Sequence, residues 1–307
     1  MTDWRSGAIL VGTVGVVGVA LAIAFVVHKT KKRPQKYSPN SPKQNKKPKL
    51  PIPCIFCDNN SGSEEHLWPA WMHKLVQFAP IKTQEGSGPV VYGQDPQKTI
   101  NTVCHECNNG WMSLLEQKNR PRLKPMLLNE PIKLDPGGMK LITDWAVKTA
   151  MVAESIKPRN ANEQFFTRDE RVAMRKSRAI PDRTRVWIGA LSESHIGCHG
   201  TDYTLMIDGG KTRIGTGTVC TIYAGHFVVQ TVTEHLNAPH VNDSNALIIP
   251  PLGASDERLV EIYPNRPKSV DWPPTPFTEY GPSGIEVLMA RWRTGAKTDK
   301  INNSPSA

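Results

Sequence analysis

Along residues 7–27, GAILVGTVGVVGVALAIAFVV, Thr13 is the only polar side chain. As a helix this stretch is about 32 Å long at about 1.5 Å per residue, enough for a hydrocarbon core of about 30 Å. The pattern predicts a single N-terminal transmembrane helix. Ala22-Ile23-Ala24 looks like a signal-peptide cleavage site, but the apolar run continues through Phe25, Val26 and Val27, longer than such a peptide's core. The pattern then reverses. Residues 28–53 hold six prolines and almost no apolar side chains, too little to offset the entropy of ordering, so they predict a disordered tether.

Regular periodicity returns after residue 138. In MKLITDWAVKTAMVAESI (139–156), Leu141, Ile142, Trp145, Ala146, Val152, Ala153 and Ile156 share one helical face. Thr167 with Glu170 forms a capping-box signal for a second helix, from Arg168 to about Lys176. Strand-like segments follow at 184–191, 203–208, 246–252 and 258–264. VCTIYAGHFVVQTVT (219–233) predicts a hairpin turning at Ala224-Gly225. A last helix is expected over 284–292 and a loose tail over 295–307. These elements predict an α+β domain with an antiparallel sheet over 139–294, one that displays no nucleophile pair, phosphate loop or metal spacing.

The net charge of +10 changes meaning once it is located. Residues 28–53 contain nine Lys or Arg and no acid, while Asp3 balances Arg5, which leaves about +1 for everything beyond residue 53. The basic balance therefore describes the tether, and it is no sign that the folded part binds nucleic acid. Cytoplasmic flanks of membrane spans carry the excess of Lys and Arg, and here that flank is HKTKKRPQK on the C-terminal side. A single-pass membrane protein with its C-terminal domains facing the cytoplasm is expected. Ala8/Gly12 and Gly18/Ala22 offer small residues for packing two anchors into a homodimer.

Four of the six cysteines fall into CIFC (Cys54, Cys57) and CHEC (Cys104, Cys107). Two such knuckles close a tetrahedral structural Zn2+ site with no open position. Zinc-bound thiolates also suit a reducing compartment. Cys198 and Cys220 have no second ligand at metal spacing and read as separate buried thiols. A closed zinc site does no chemistry, but it organises its neighbours. Glu65-His66 and LWPAW follow the first knuckle; Asn108, Asn109 and the helix-like GWMSLLE follow the second. Zinc that joins the knuckles brings Glu65, His66 and Asn108 together from distant segments.

C-x-x-C, then acid-His-x-x-Pro, then C-x-x-C-Asn opening a helix resembles the HNH endonuclease family, in particular its zinc-stabilised branch carrying EH..P.W and C..CN..WM..LE. The matching residues are Cys54, Cys57, Glu65, His66, Pro69, Trp71, Cys104, Cys107, Asn108, Trp111, Met112, Leu115 and Glu116. The resemblance implies a ββα-metal, treble-clef-type module over 54–125. It assigns His66 as the general base that activates water, and Glu65 and Asn108 as ligands of one catalytic divalent ion, Mg2+ or another. Asn109 and Asn101 are both candidates for the family's middle, bracing asparagine.

Trp111 and Met112 stand where many relatives carry Lys or His, and the stretch KTQEGSGPVVYGQDPQKT (82–99) reads as an insertion. Lys118, Arg120, Arg122 and Lys124 offer either phosphate contacts or a solvated basic turn broken by Pro121 and Pro125. Trp68, Trp71 and Trp111 read as packing around the zinc core. The expected substrate is nucleic acid, DNA by the resemblance. Two alternatives stand beside it: an inactive zinc-binding scaffold or nucleic-acid-binding module at the membrane, and an exported nuclease with the opposite topology.

Overall fold

The computed structural model describes residues 52–76, 81–83, 91–93, 99–155, 164–207, 211–237 and 258–275. The expected membrane span, most of the tether, the segment 246–252, the last helix and the tail lie outside the described residues. Among the described residues, no helix is long and apolar enough to cross a membrane. The chain divides into Met1–Lys49 and Leu50–Ala307, and all described residues belong to the second unit.

That unit is mixed α/β with antiparallel sheets, in keeping with the α+β expectation. Its N-terminal part pairs β1 (Ser63–His66) with β4 (Thr99–Val103), Glu65 opposite Ile100 and His66 opposite Thr99. The insertion between them contains its own small hairpin, β2 (Ile81–Thr83) with β3 (Val91–Gly93). β4 runs straight into the short helix α1 (His105–Cys107), a wide turn over Asn108–Met112, and then α2 (Ser113–Leu127). Gly110, at φ −91° and ψ −108°, is the non-helical residue at which the axis kinks.

α2 continues through Pro121 and Pro125, so the expected basic turn broken at those prolines is instead helix. Each proline costs about 3 kcal/mol in a helix interior. Burial of Leu115, Leu123, Met126 and Leu127 offsets that cost at about 1.5–3 kcal/mol per side chain.

β5 (Ile132–Leu134) pairs with β9 (Val270–Trp272), and α3 (Pro136–Glu154) follows. Asp135 caps α3 by accepting from Gly138 N at 2.6 Å, and Pro136 occupies the first turn, where no N–H is needed. Every side chain from Ile142 to Val152 is buried, so the helix is enclosed on all sides and has no polar outer face there. α4 (Arg168–Ser177) starts at the expected capping box, with Thr167 and Glu170 bonding reciprocally. It docks on α3 through Arg171, whose Nη2 lies 2.7 Å from Glu154 Oε2.

Two long strands, β6 (Thr184–Ile207) and β7 (Thr212–Leu236), pair along almost their whole length, and β8 (Val260–Tyr263) adds to the other edge of β6. The expected turn at Ala224-Gly225 is absent. Ala224 pairs with Ile196 and Gly225 with His195 inside continuous β7. Gly225 adopts φ +59° where β6 bulges opposite it between Ala190 and His195, and glycine is required there because a Cβ would come within 2.2 Å of Leu127 O.

The bulge bends the hairpin back on itself. Asn237 N donates to Ile214 O at 2.8 Å, and Gln230 Nε2 donates to Thr221 Oγ1 at 2.9 Å, joining residues of one strand across the bend. Trp187, Leu191, Val219, Val228, Val232 and Leu259 form a separate cluster of the sheet. The larger core is continuous from Cys54 and Phe56 through α2 and α3 to Ile222, Phe227 and Trp272. The regions expected as two modules therefore share one core.

Candidate metal centre and active site

The two knuckles close as the cysteine spacing predicts. Phe56 N donates to Cys54 Sγ and Cys107 N donates to Cys104 Sγ, each at 3.4 Å, the backbone geometry that aims two sulfurs of a C-x-x-C turn at one point. All four Sγ atoms lie within 4.8 Å of one another, with Cys57 3.5 Å from Cys104 and 3.6 Å from Cys107. Zinc at about 2.3 Å from each sulfur fits such a cluster. The four residues are buried. Burial raises the Cys57 and Cys107 thiols. It pushes Cys104 the same way, but the Cys107 N–H and the neighbouring sulfurs prevail and bring that thiol down to about 7. Four crowded, buried sulfurs of this kind are a donor set for a soft cation.

Polar staples surround the clamp. Asn59 Nδ2 reaches from the first knuckle to Glu106 Oε2 on the second at 2.6 Å. Arg168 of α4 holds Cys54 O and Asp58 Oδ1, both at 2.8 Å, and Arg175 lies 3.4 Å from Glu106. Trp111 packs edge-on against Phe56 at 5.1 Å, and the Arg178 guanidinium lies over its ring at 4.2 Å. Trp68 is buried, and Trp71 and Trp111 pack partly buried against the core, as expected of them.

The clamp brings Asn108 to β1. Its Nδ2 donates to Ser63 Oγ at 2.5 Å and approaches Glu64 O at 3.4 Å. Asn108 thus joins the second knuckle to β1, while the side chains of Asn101 and Asn109 are exposed. His66 ends β1, partly exposed, with its ring 6.0 Å from that of His73 and nearly perpendicular to it. His73 is held by Trp68 O, 3.0 Å from its Nε2.

Alternation along β1 sends Ser63 and Glu65 inward and Glu64 outward. Glu65 is 3% exposed and faces Lys148 of α3, whose Nζ lies 3.6 Å from Glu65 Oε1 and 3.2 Å from Glu116 Oε1. Burial pushes the Glu65 carboxyl up to about 7, against the pull of Lys148 and with help from Glu116. Lys118, Arg120 and Lys124 are exposed, and Arg120 lies over Trp71 at 5.5 Å.

Lys148 escaped the sequence reading because it sits inside an apolar helix with no motif around it. Cys198 and Cys220, read as separate thiols, meet across the hairpin with sulfurs 3.6 Å apart. No family model, curated protein or solved structure matches the chain.

Proposed function

We propose that the chain is a zinc-stabilised, HNH-type endonuclease that hydrolyses phosphodiester bonds of nucleic acid, DNA by the resemblance, with His66 as general base. The observation that carries this reading is the link from clamp to centre. Four buried sulfurs join two knuckles, and the first side chain after the second knuckle, Asn108, bonds back to the strand that ends in His66. An antiparallel pair followed by a helix is the order a ββα-metal module requires. Partly exposed, His66 keeps contact with solvent, as a base that takes a proton from water must.

Zinc supplies no chemistry here; it fixes the relation of β1 to the helix. The resemblance also calls for a divalent ion such as Mg2+, which would stabilise the leaving oxygen when bound. Of the two ligands it assigns, Asn108 lies against β1, but Glu65 does not fit a ligand's place, because its carboxylate is enclosed and already meets an ammonium. No step is routed through that ion. By its apolar N-terminal run the enzyme would be held at the membrane, facing the cytoplasm.

Full-length, zinc-loaded protein is expected to cut plasmid in Mg2+ or Mn2+ and to stop on chelation. His66→Ala should lose about 10²–10⁴-fold in rate, the usual contribution of a positioned base, with zinc still stoichiometric. Undiminished cutting by His66→Ala would remove the assigned base. A second reading, an inactive zinc-stabilised binding module, draws support from the enclosure of Glu65; wild-type protein that binds but never cuts nucleic acid selects it.

A further inference from the structure

Lys148 occupies a position where an apolar residue would be cheaper for α3 alone. Its side chain is 1% exposed, in a stretch of helix that is otherwise enclosed by core. Taking an ammonium out of water costs several kcal/mol, and such a group persists only when paired and hydrogen-bonded. Here the pairing is twofold. Glu65 reaches it from β1 at 3.6 Å and Glu116 from α2 at 3.2 Å, with Glu65 4% and Glu116 21% exposed at the side chain.

The two carboxylates belong to the two elements that matter most to the centre. Glu65 directly precedes His66, and Glu116 lies on the helix that follows Asn108. α3 is joined to the same helix beside this point, where Asn119 Nδ2 donates to both Leu115 O and Leu141 O at 3.0 Å. Thus one cation from outside the zinc-binding segment ties strand and helix together from behind.

We propose that Lys148 is a positioning residue of the His66 centre. Its ammonium takes the cation place at Glu65, and through Glu65 and Glu116 it sets the strand ending in His66 against the helix opened by Asn108. Glu65 on this account is no ligand of the catalytic ion, and the segment 54–125 is incomplete without α3. The effect on rate rests on the nuclease reading; the ion pairing rests on geometry alone.

Removing the ammonium leaves two carboxylates facing one vacated cation place, which makes the proposal testable by metal binding as well as by rate. Mn2+ binding would be measured by electron paramagnetic resonance on the full-length, zinc-loaded chain. Glu65→Gln should leave Mn2+ affinity within about twofold, the scatter of independent sites. Lys148→Met should gain a Mn2+ site that Lys148→Met/Glu65→Gln lacks. In plasmid cutting, Lys148→Met should lose about 10–100-fold, the usual cost of disturbing a supporting shell, in kcat with KM little changed. The double variant, which lacks the tie between β1 and α2 as well, should stay about as slow, and its recovery to the wild-type rate would make the loss one of unpaired charge and overturn the proposal.

Mn2+ affinity that falls in Glu65→Gln as far as it does in Asn108→Ala makes Glu65 a ligand and overturns the proposal. So does a folded Lys148→Met that cuts with unaltered kcat. If Lys148→Met does not fold, Glu65→Gln and the double variant still decide. Wild-type protein that never cuts ends the nuclease reading, while the gain or absence of the Mn2+ site in Lys148→Met still judges the pairing.

Discussion

The four-cysteine segment and the bent hairpin solve the same problem by opposite means. Around the knuckles the strands are short, β1 only Ser63–His66, and four sulfurs hold them where backbone pairing is too sparse to do so. In β6 and β7 the pairing runs from Thr184–Thr233 to Ile207–Thr212, and shape comes from glycines. Gly225 takes the left-handed bend, while Gly197 and Gly217 lie under the rings of Tyr223 and Tyr203, their cross-strand partners. A point clamp brings distant side chains together accurately but fails all at once. A distributed ladder tolerates local loss and positions nothing finely. The candidate chemistry lies beside the clamp.

Removing the metal should separate the two regions most. Structural zinc contributes about 10–16 kcal/mol of apparent binding energy in small zinc domains. Chelation, or Cys107→Ser, is therefore expected to abolish hydrogen-exchange protection in β1, β4 and the start of α2 while much of β6 and β7 stays protected. Uniform loss of protection would show that the shared core makes the two regions one cooperative unit.

Gly225→Val attacks the hairpin at a point constrained both by its left-handed φ and by a neighbouring backbone. A left-handed non-glycine residue costs about 1–3 kcal/mol, and the close approach of Leu127 O adds to it. Urea unfolding should register at least that loss, with zinc content unchanged. A neutral result would mean that the bend is made elsewhere.

Tyr203→Phe removes the hydroxyl that donates to buried Glu234 Oε1 at 2.9 Å, across the bend. Burial already raises the Glu234 carboxyl. Losing a donor should cost about 1–3 kcal/mol, read by the same unfolding measurement.

The smallest effect concerns the join between α4 and the end of β7, where His235 Nε2 lies 2.7 Å from Glu170 Oε1. Burial alone would raise Glu170, but the bonds from His235 and Thr167 outweigh it and hold the carboxyl below its ordinary 4.5. The unfolded chain then binds the proton more readily, so this contribution is present above pH 4.5 and is lost as pH falls through the lower folded value. His235→Gln should flatten that acid limb by up to about 1 kcal/mol, measured as stability against pH.

What the sequence made legible follows the same division. Cys54, Cys57, Cys104 and Cys107 carry their geometry in their spacing, and Thr167 with Glu170 carries a helix start in two residues, because both devices are local. The bend at Gly225 is not local. Ala-Gly between two alternating runs reads as a turn, and only pairing with residues thirty or so positions upstream makes it a bulge. Pro121 and Pro125 mislead for a similar reason: propensity argues against helix, and burial against α3 overrides it. Within the site, the convergence of Asn108 on β1 was readable from the knuckles. The partner that Glu65 meets inside was not, since Lys148 lies far along the chain in a helix without any motif.

The most direct test of the central claim is the rate at which zinc-loaded, full-length His66→Ala nicks supercoiled plasmid in Mn2+, beside wild type, with zinc counted in the same samples. The account predicts equal zinc and a rate lower by about two orders of magnitude or more. Equal zinc with an equal rate contradicts it.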